Sequence, residues 1–270
     1  MPLVLPSVDA TELRRSPLAI VVFQLRYEQN LAVSDGEVAL AIHEQLGGRD
    51  GIYERIEPQQ MVAAQVEFRA GGDLAPISGS TSVPSRGWRL RTASNDWVAS
   101  IMPDHVSLET TAYTTWSGEF RVRVVDLLRA FPDHARPRIE ERLGLRYINR
   151  LSEEGVTTPD DWVNIVSSDL LGPIGHSFWG PGIENFQEQV QLDLADDLQC
   201  LFRHGLIPAS DGAGFDGYLL DYDVFRQSPR RFQIDDVEAT LDRMNRSALA
   251  LFQASLEPEY LDSLRGREKA

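Results

Sequence analysis

The order of strand-like and helix-like segments constrains the fold of this chain more than any other feature. In the segment 18–27, Val21, Phe23, Leu25 and Tyr27 share one face while the polar Gln24 and Arg26 take the other, which predicts a strand with one buried face. In residues 234–255 apolar side chains recur at steps of three and four, which predicts a long amphipathic helix. Strand segments come in groups, and each group ends in one such helix, without the regular alternation of a doubly wound parallel sheet. The sequence therefore predicts an α+β fold.

Two halves of this kind are predicted, residues 1–155 and 156–270, each an antiparallel sheet with helices, packed together. The predicted strands cover residues 18–27, 61–68, 88–92, 97–101, 105–111, 143–150, 186–194, 198–204 and 217–225. The predicted helices begin near Ser34, Ser117, Thr158 and Ile234. Residues 71–87, rich in glycine, serine and proline, are expected to form a long mobile loop. Hairpin turns are expected at Asn95-Asp96 and at Ala195-Asp196-Asp197.

The size and cysteine content narrow the class of protein. A chain of 270 residues, 42% of them hydrophobic, needs neither a disulfide nor a metal to build its core. Cys200 is the only cysteine, which excludes an intrachain disulfide and a cysteine-based zinc site. A buried structural thiol is expected, and the alternative is a reactive nucleophile that uses His204 as its base. The histidines lack metal-ligand spacing, so neither a metal nor a cofactor is predicted.

The charge balance indicates which partners the chain can bind. A net charge of −15 argues against nucleic acid and anionic membranes and favours a basic partner. Six arginines between Arg129 and Arg150 are too dispersed among acidic residues to predict a nucleic-acid site. No apolar segment approaches the roughly 20 residues that a membrane span needs, and the first residues lack a secretory-signal pattern. We therefore expect a cytoplasmic protein that does not associate with membranes.

Three polar residues stand out in the strand predicted over residues 143–150, namely Arg146, Asn149 and Arg150. Strict alternation places the two arginines on one face of the strand and the asparagine on the other. In a structural interpretation, an arginine bridges to acids such as Asp221 or Asp223. In a functional interpretation, the arginines bind an anion or a protein partner.

Asp221 and Asp223 share one face of a later strand. Paired carboxylates can bind a divalent metal or perform acid–base chemistry, but no histidine or third acid follows at a spacing that defines such a site. Ion pairing with arginine is therefore the favoured interpretation.

The segment 172–182 is the most unusual loop, because it combines glycines and prolines with His176, Ser177, Phe178 and Trp179. These side chains could supply a base, a hydroxyl group and an aromatic surface to a ligand. The segment lacks the lysine of a phosphate loop, the glycine spacing of a dinucleotide site and the nucleophile-elbow pattern. The favoured interpretation is a connector anchored by Phe178 and Trp179.

Four segments together carry a family resemblance: Ser16-Pro17-Leu18, Tyr113-x-x-Trp116, Leu143-Gly-Leu-Arg-Tyr-Ile-Asn-Arg150 and Leu220-Asp-Tyr-Asp-Val224. Their order resembles a sporadically distributed family of uncharacterised prokaryotic proteins of about this length, over nearly the whole chain. The resemblance implies a link to defence or mobile genetic elements. Met244-Asn245 stands where many relatives are expected to carry a histidine, which weakens the case for a catalytic histidine there.

Two hypotheses about function follow. The leading one is a non-enzymatic protein-interaction or regulatory protein, with a protein partner or a homodimer, because the chain is acidic, rich in strands and without a recognised catalytic motif. The alternative is a small-molecule-binding protein or enzyme with a cleft between the two halves. The candidate cleft residues are Arg146, Asn149, Arg150, Asp221, Asp223 and His176.

Overall fold

The computed structural model describes residues 2–61, 85–209 and 214–267. Within these ranges the chain forms ten strands: β1 Leu18–Tyr27, β2 Arg55–Met61, β3 Ser85–Arg91, β4 Trp97–Met102, β5 His105–Thr110, β6 Ile139–Leu151, β7 Gln187–Asp193, β8 Gln199–Pro208, β9 Phe215–Arg226 and β10 Arg230–Arg231. The same ranges contain five α-helices: α1 Gly36–Gln45, α2 Arg121–Arg129, α3 Ser168–Leu171, α4 Ile234–Ala254 and α5 Pro258–Leu264.

The ten strands belong to one sheet, and every strand pair with a described register is antiparallel. Together with the helices, this sheet confirms the mixed α+β prediction. The chain divides into two compact units. The first comprises Met1–Val21, Gly144–Arg226 and Leu241–Ala270, and the second comprises Val22–Leu143 and Gln227–Thr240. The predicted division into halves at residues 155 and 156 stays a prediction.

The second unit contains a meander of four strands in the order β2-β3-β4-β5. Asn95 takes a left-handed φ of 61° in the turn between β3 and β4, which confirms the predicted hairpin. The core of this unit is apolar, since Leu90, Ile101, Leu108 and Phe120 are all fully buried. The alternation of the first strand is confirmed as well, because its predicted apolar face is buried at Val21, Phe23, Leu25 and Tyr27.

The first unit contains four strands in the order β6-β9-β8-β7. One face of these strands is a buried aromatic layer in which the rings of Phe202 and Tyr222 stack with centroids 4.8 Å apart. Helix α4 lies against this layer, because the Tyr222 hydroxyl donates to Ser255 and the Tyr147 hydroxyl donates to Asn245. The opposite face carries Arg146 and Asp221, two of the polar residues that the sequence singled out.

Several predicted element boundaries are corrected by the structure. Helix α1 is capped by the side chain of Asp35, which accepts from the Glu37 N–H, and not by Ser34. The helix predicted to begin at Thr158 does have its capping box, but it is a short 3-10 turn, Pro159–Asn164, followed by the separate α3. Strand β2 and helix α5 were not predicted. The strand predicted over residues 61–68 and the loop over 71–87 lie almost entirely outside the described residues.

Candidate functional site

An ion-pair network occupies the polar face of the sheet in the first unit. Asp221 on β9 is only 2% exposed and accepts two hydrogen bonds from Arg146 on β6, from Nε at 2.7 Å and from Nη2 at 2.6 Å. Arg203 on β8, which lies opposite Asp221 in the strand register, donates to the same carboxylate at 3.2 Å. The structural interpretation of Arg146, as an arginine paired with an acid, is thus what the structure shows.

Opposite charges stabilise the network. The hydrogen bonds to Asp221 raise the pKa of the Arg146 guanidinium, and the charge of Asp223, two residues along β9, acts in the same direction. Both arginines keep part of their side chains in solvent, whereas the carboxylate between them is buried. A buried carboxylate that accepts from two guanidinium groups is neutralised by them and has no free oxygen positioned for acid–base chemistry.

Three further candidate residues, Asn149, Arg150 and His176, lie in three different environments. Asn149 lies on the buried face, where its side-chain amide donates to the Leu220 carbonyl at 3.2 Å. Arg150 forms an exposed ion pair with Asp216 at 2.9 Å. His176 lies in an exposed segment, and in the part of the chain that the structure describes no hydrogen bond or ion pair joins it to Arg146 or Asp221. The proposed cleft lined by all six residues stays a prediction.

The described ranges also hold no group of three or more histidine, cysteine, aspartate or glutamate side chains placed to bind a metal ion.

The segment 172–182 presents an aromatic pair to solvent. The Phe178 and Trp179 side chains are 73% and 60% exposed, and their rings meet edge to face with centroids 4.8 Å apart. The prediction that these two residues anchor a connector is therefore wrong. Aromatic residues normally bury their large apolar area in a core, so an exposed pair of them is a candidate binding surface.

The backbone packs closely around Gly180, the residue that follows the aromatic pair. The Gly180 N–H donates to the His176 carbonyl at 2.8 Å, which folds the segment back on itself. A Cβ atom at Gly180 would lie 2.5 Å from the Ile174 carbonyl oxygen and 3.0 Å from Oδ1 of Asp160. Only glycine fits this close approach. The Asp160 carboxylate therefore lies close to Gly180, the residue that follows Trp179.

We define the aromatic-acidic surface as Phe178, Trp179 and Asp160. The sequence contained a signal for it that the favoured interpretation overlooked: two adjacent aromatic residues lie inside a segment dense in glycine and proline. Such a segment has few side chains of its own with which to cover aromatic rings.

Cys200 lies in the buried aromatic layer and is fully buried. Burial raises the pKa of its thiol well above the usual range, so the thiolate needed for nucleophilic attack is disfavoured. The interpretation of Cys200 as a buried structural thiol is confirmed. The neighbouring His204 is also buried, and its Nδ1 is hydrogen-bonded to the Tyr218 hydroxyl at 2.9 Å.

We expect His204 to make the stability of the protein depend on pH. Burial lowers the pKa of His204 below its usual 6.5, and the charge of Glu188 opposes this only in part. As the pH falls below about 6.5, the unfolded chain binds a proton on this residue before the folded chain does, so the free energy of unfolding decreases. The slope is at most about 1.4 kcal/mol per pH unit and ends at the pKa of the folded state.

Urea unfolding of the wild type and of the His204→Gln variant, measured between pH 7 and pH 5, tests this expectation. The wild type should lose more stability than the variant over this interval. Equal losses in the two proteins would contradict the assignment.

No α-helix in the described parts of the chain combines the length and the apolar character that crossing a bilayer requires. A comparison with protein-family models finds no match, and a search of curated proteins finds no relative.

Proposed function

We propose that this chain is a non-enzymatic protein-interaction protein that binds a basic partner through its aromatic-acidic surface. The observation that carries the proposal is the exposure of Phe178 and Trp179, which together place two large rings in water. Aromatic side chains of this kind are the residues that most often dominate the binding energy of protein interfaces, because they fill pockets on a partner at low entropic cost.

The charge around the aromatic pair specifies the chemistry of the partner. Between Arg150 and Arg203 the sequence contains no lysine or arginine, but it contains many aspartates and glutamates. The exposed Asp160 lies next to Gly180, the residue that follows Trp179 in the sequence. A guanidinium or ammonium group can stack on an aromatic ring and pair with a neighbouring carboxylate at the same time. The surface therefore suits a protein segment that carries arginine or lysine.

The same charge argues against a second copy of this chain as the partner at this surface. In a symmetric dimer the identical patch of each subunit meets its counterpart. Here, acidic residues would face acidic residues, and like charges across an interface cost binding energy.

The ion-pair network supports the non-enzymatic part of the proposal. Arg146, Asp221 and Arg203 on the sheet pair with one another, so the Asp221 carboxylate is engaged by both arginines. The link to defence or mobile genetic elements is part of the proposal as well, and it rests on the family resemblance alone.

The test uses a short fluorescein-labelled peptide in which arginine alternates with alanine, titrated with the full chain and followed by fluorescence anisotropy. We expect saturable binding that weakens as salt is added, because exposed charge–charge attraction is screened. A matched peptide with glutamate in place of arginine should not bind. Equal binding of both peptides, or no binding of the arginine peptide at low salt, would refute the proposal.

A further inference from the structure

A second surface of the first unit has the character of a ligand site. A groove of about 480 Å³ lies between residues 2–8 and one side of α4. Its floor is formed by Leu198 and Ala250, which are both almost fully buried. Its apolar wall is formed by side chains of the first residues of the chain, among them Leu3, Leu5 and Val8. The volume falls in the range of small-molecule sites.

Backbone pairing holds the apolar wall in place. The Leu3 N–H donates to the Asp193 carbonyl at 2.8 Å, and Leu3 forms a parallel bridge with Leu194 at the end of β7. Leu3 and Val4 nevertheless keep 43% and 84% of their surface in water. The groove thus offers a fixed apolar wall that is not covered by other described residues.

The opposite wall is basic. Arg243, Arg246 and Ser247 line it from one side of α4, because positions three and four residues apart share a helix face. Arg243 faces the Asp196 carboxylate at 3.7 Å. Arg246 is exposed and forms no ion pair or hydrogen bond with any residue in the described ranges. The Arg246 guanidinium group is therefore not engaged by a described carboxylate, in a chain whose net charge is −15.

The turn between β7 and β8 supplies the carboxylate that faces Arg243. Asp196 and Asp197 both take left-handed φ angles, 61° and 63°, which cost side-chain-bearing residues energy. This turn, the predicted hairpin, places the Asp196 carboxylate at the rim of the groove near Arg243. Arg246, about one helical turn further along α4, forms no such pair with a carboxylate in the described ranges.

We propose that this groove binds an organic carboxylate with an unbranched apolar tail. The carboxylate pairs with the Arg246 guanidinium and accepts from the Ser247 hydroxyl, and the tail lies over Leu198 and Ala250. A fork of guanidinium donors matches the geometry of a carboxylate, and apolar walls favour removal of the tail from water. This site is separate from the aromatic-acidic surface, so the two proposals can fail independently.

Isothermal titration calorimetry of the full chain with decanoate and with decan-1-ol tests the proposal. The two probes share their tail, but only decanoate carries a charge. We expect decanoate to bind at least about tenfold more tightly than decan-1-ol, since a charge-assisted hydrogen bond is worth roughly a factor of ten or more in affinity. Absence of decanoate heat up to millimolar concentration, or equal affinity for both probes, would overturn the proposal.

Substitutions in the groove, compared with one outside it, test whether decanoate binds there. Arg246→Gln should weaken decanoate binding about tenfold and leave decan-1-ol binding unchanged. Ser247→Phe, which fills the groove from a half-buried position, should abolish both. Arg231→Gln is the matched control, because Arg231 is an exposed arginine of the second unit, and its variant should bind like the wild type. Decanoate binding that is as tight in Arg246→Gln as in the wild type, or that falls equally in Arg231→Gln, rules out the groove.

Sedimentation of the same variants completes the test. If a second copy of the chain occupied the groove, decanoate would not bind, and Ser247→Phe would shift a dimer to the monomer. That result would also reject the carboxylate proposal.

Discussion

Asp221→Asn is expected to destabilise the protein by about 3 kcal/mol, because it removes one partner of a buried ion pair. The substitution keeps the shape of the side chain but removes the negative charge that Arg146 and Arg203 share. Two guanidinium groups then lie against a buried neutral amide, whose oxygen replaces only one of the two carboxylate oxygens and whose NH2 group faces a guanidinium donor with no acceptor between them. Urea unfolding followed by circular dichroism measures the loss.

Asp216→Asn is the matched control for this prediction. It removes one carboxylate from an arginine pair on the same strand β9, but the Arg150–Asp216 pair is exposed. An exposed pair contributes less than about 1 kcal/mol, so the control variant should unfold close to the wild type. Equal stability of the Asp221 and Asp216 variants would show that the network is not a structural element and would reopen a binding role for its arginines.

The double variant Phe178→Ser/Trp179→Ser is expected to bind the arginine peptide at least about 30-fold more weakly than the wild type. Aromatic residues at the centre of an interface commonly contribute more than 2 kcal/mol to the binding free energy. The stability of the double variant should change by less than about 0.5 kcal/mol, because both rings are exposed in the free protein. Anisotropy titration gives the affinity, and thermal unfolding gives the stability.

Leu31→Ser controls for a general loss of apolar surface, because Leu31 is a comparably exposed apolar residue of the second unit. It should bind the peptide like the wild type. A double variant that unfolds, or that binds the peptide as tightly as the wild type, would contradict the account of Phe178 and Trp179.

Strand alternation and helix periodicity were enough to predict most of the fold. The buried face of β1 and the long helix α4 follow directly from the spacing of apolar residues, since each spacing suits only one kind of secondary structure. The hairpin turns were predictable because asparagine and aspartate tolerate left-handed backbone. Helix α5, only seven residues long, carries too short a pattern to predict a helix.

The candidate site was predictable in part. A charged pair of residues on neighbouring strands, Arg146 and Asp221, could be proposed because polar groups within a sheet need partners. The role of Arg203 depended on the register of β8 against β9, which the sequence does not specify. Exposure of Phe178 and Trp179 depends on how segment 172–182 folds, which no spacing of residues in an irregular segment reveals.

The central claim is that a cationic partner binds at Trp179. The most direct test follows the indole N–H signals of the five tryptophans by nuclear magnetic resonance while the arginine peptide is added to the labelled chain, with Trp179→Phe used to assign one signal. The account predicts that the Trp179 signal shifts progressively and that the signal of the buried Trp162 does not. A Trp179 signal that stays in place while the peptide binds would contradict it.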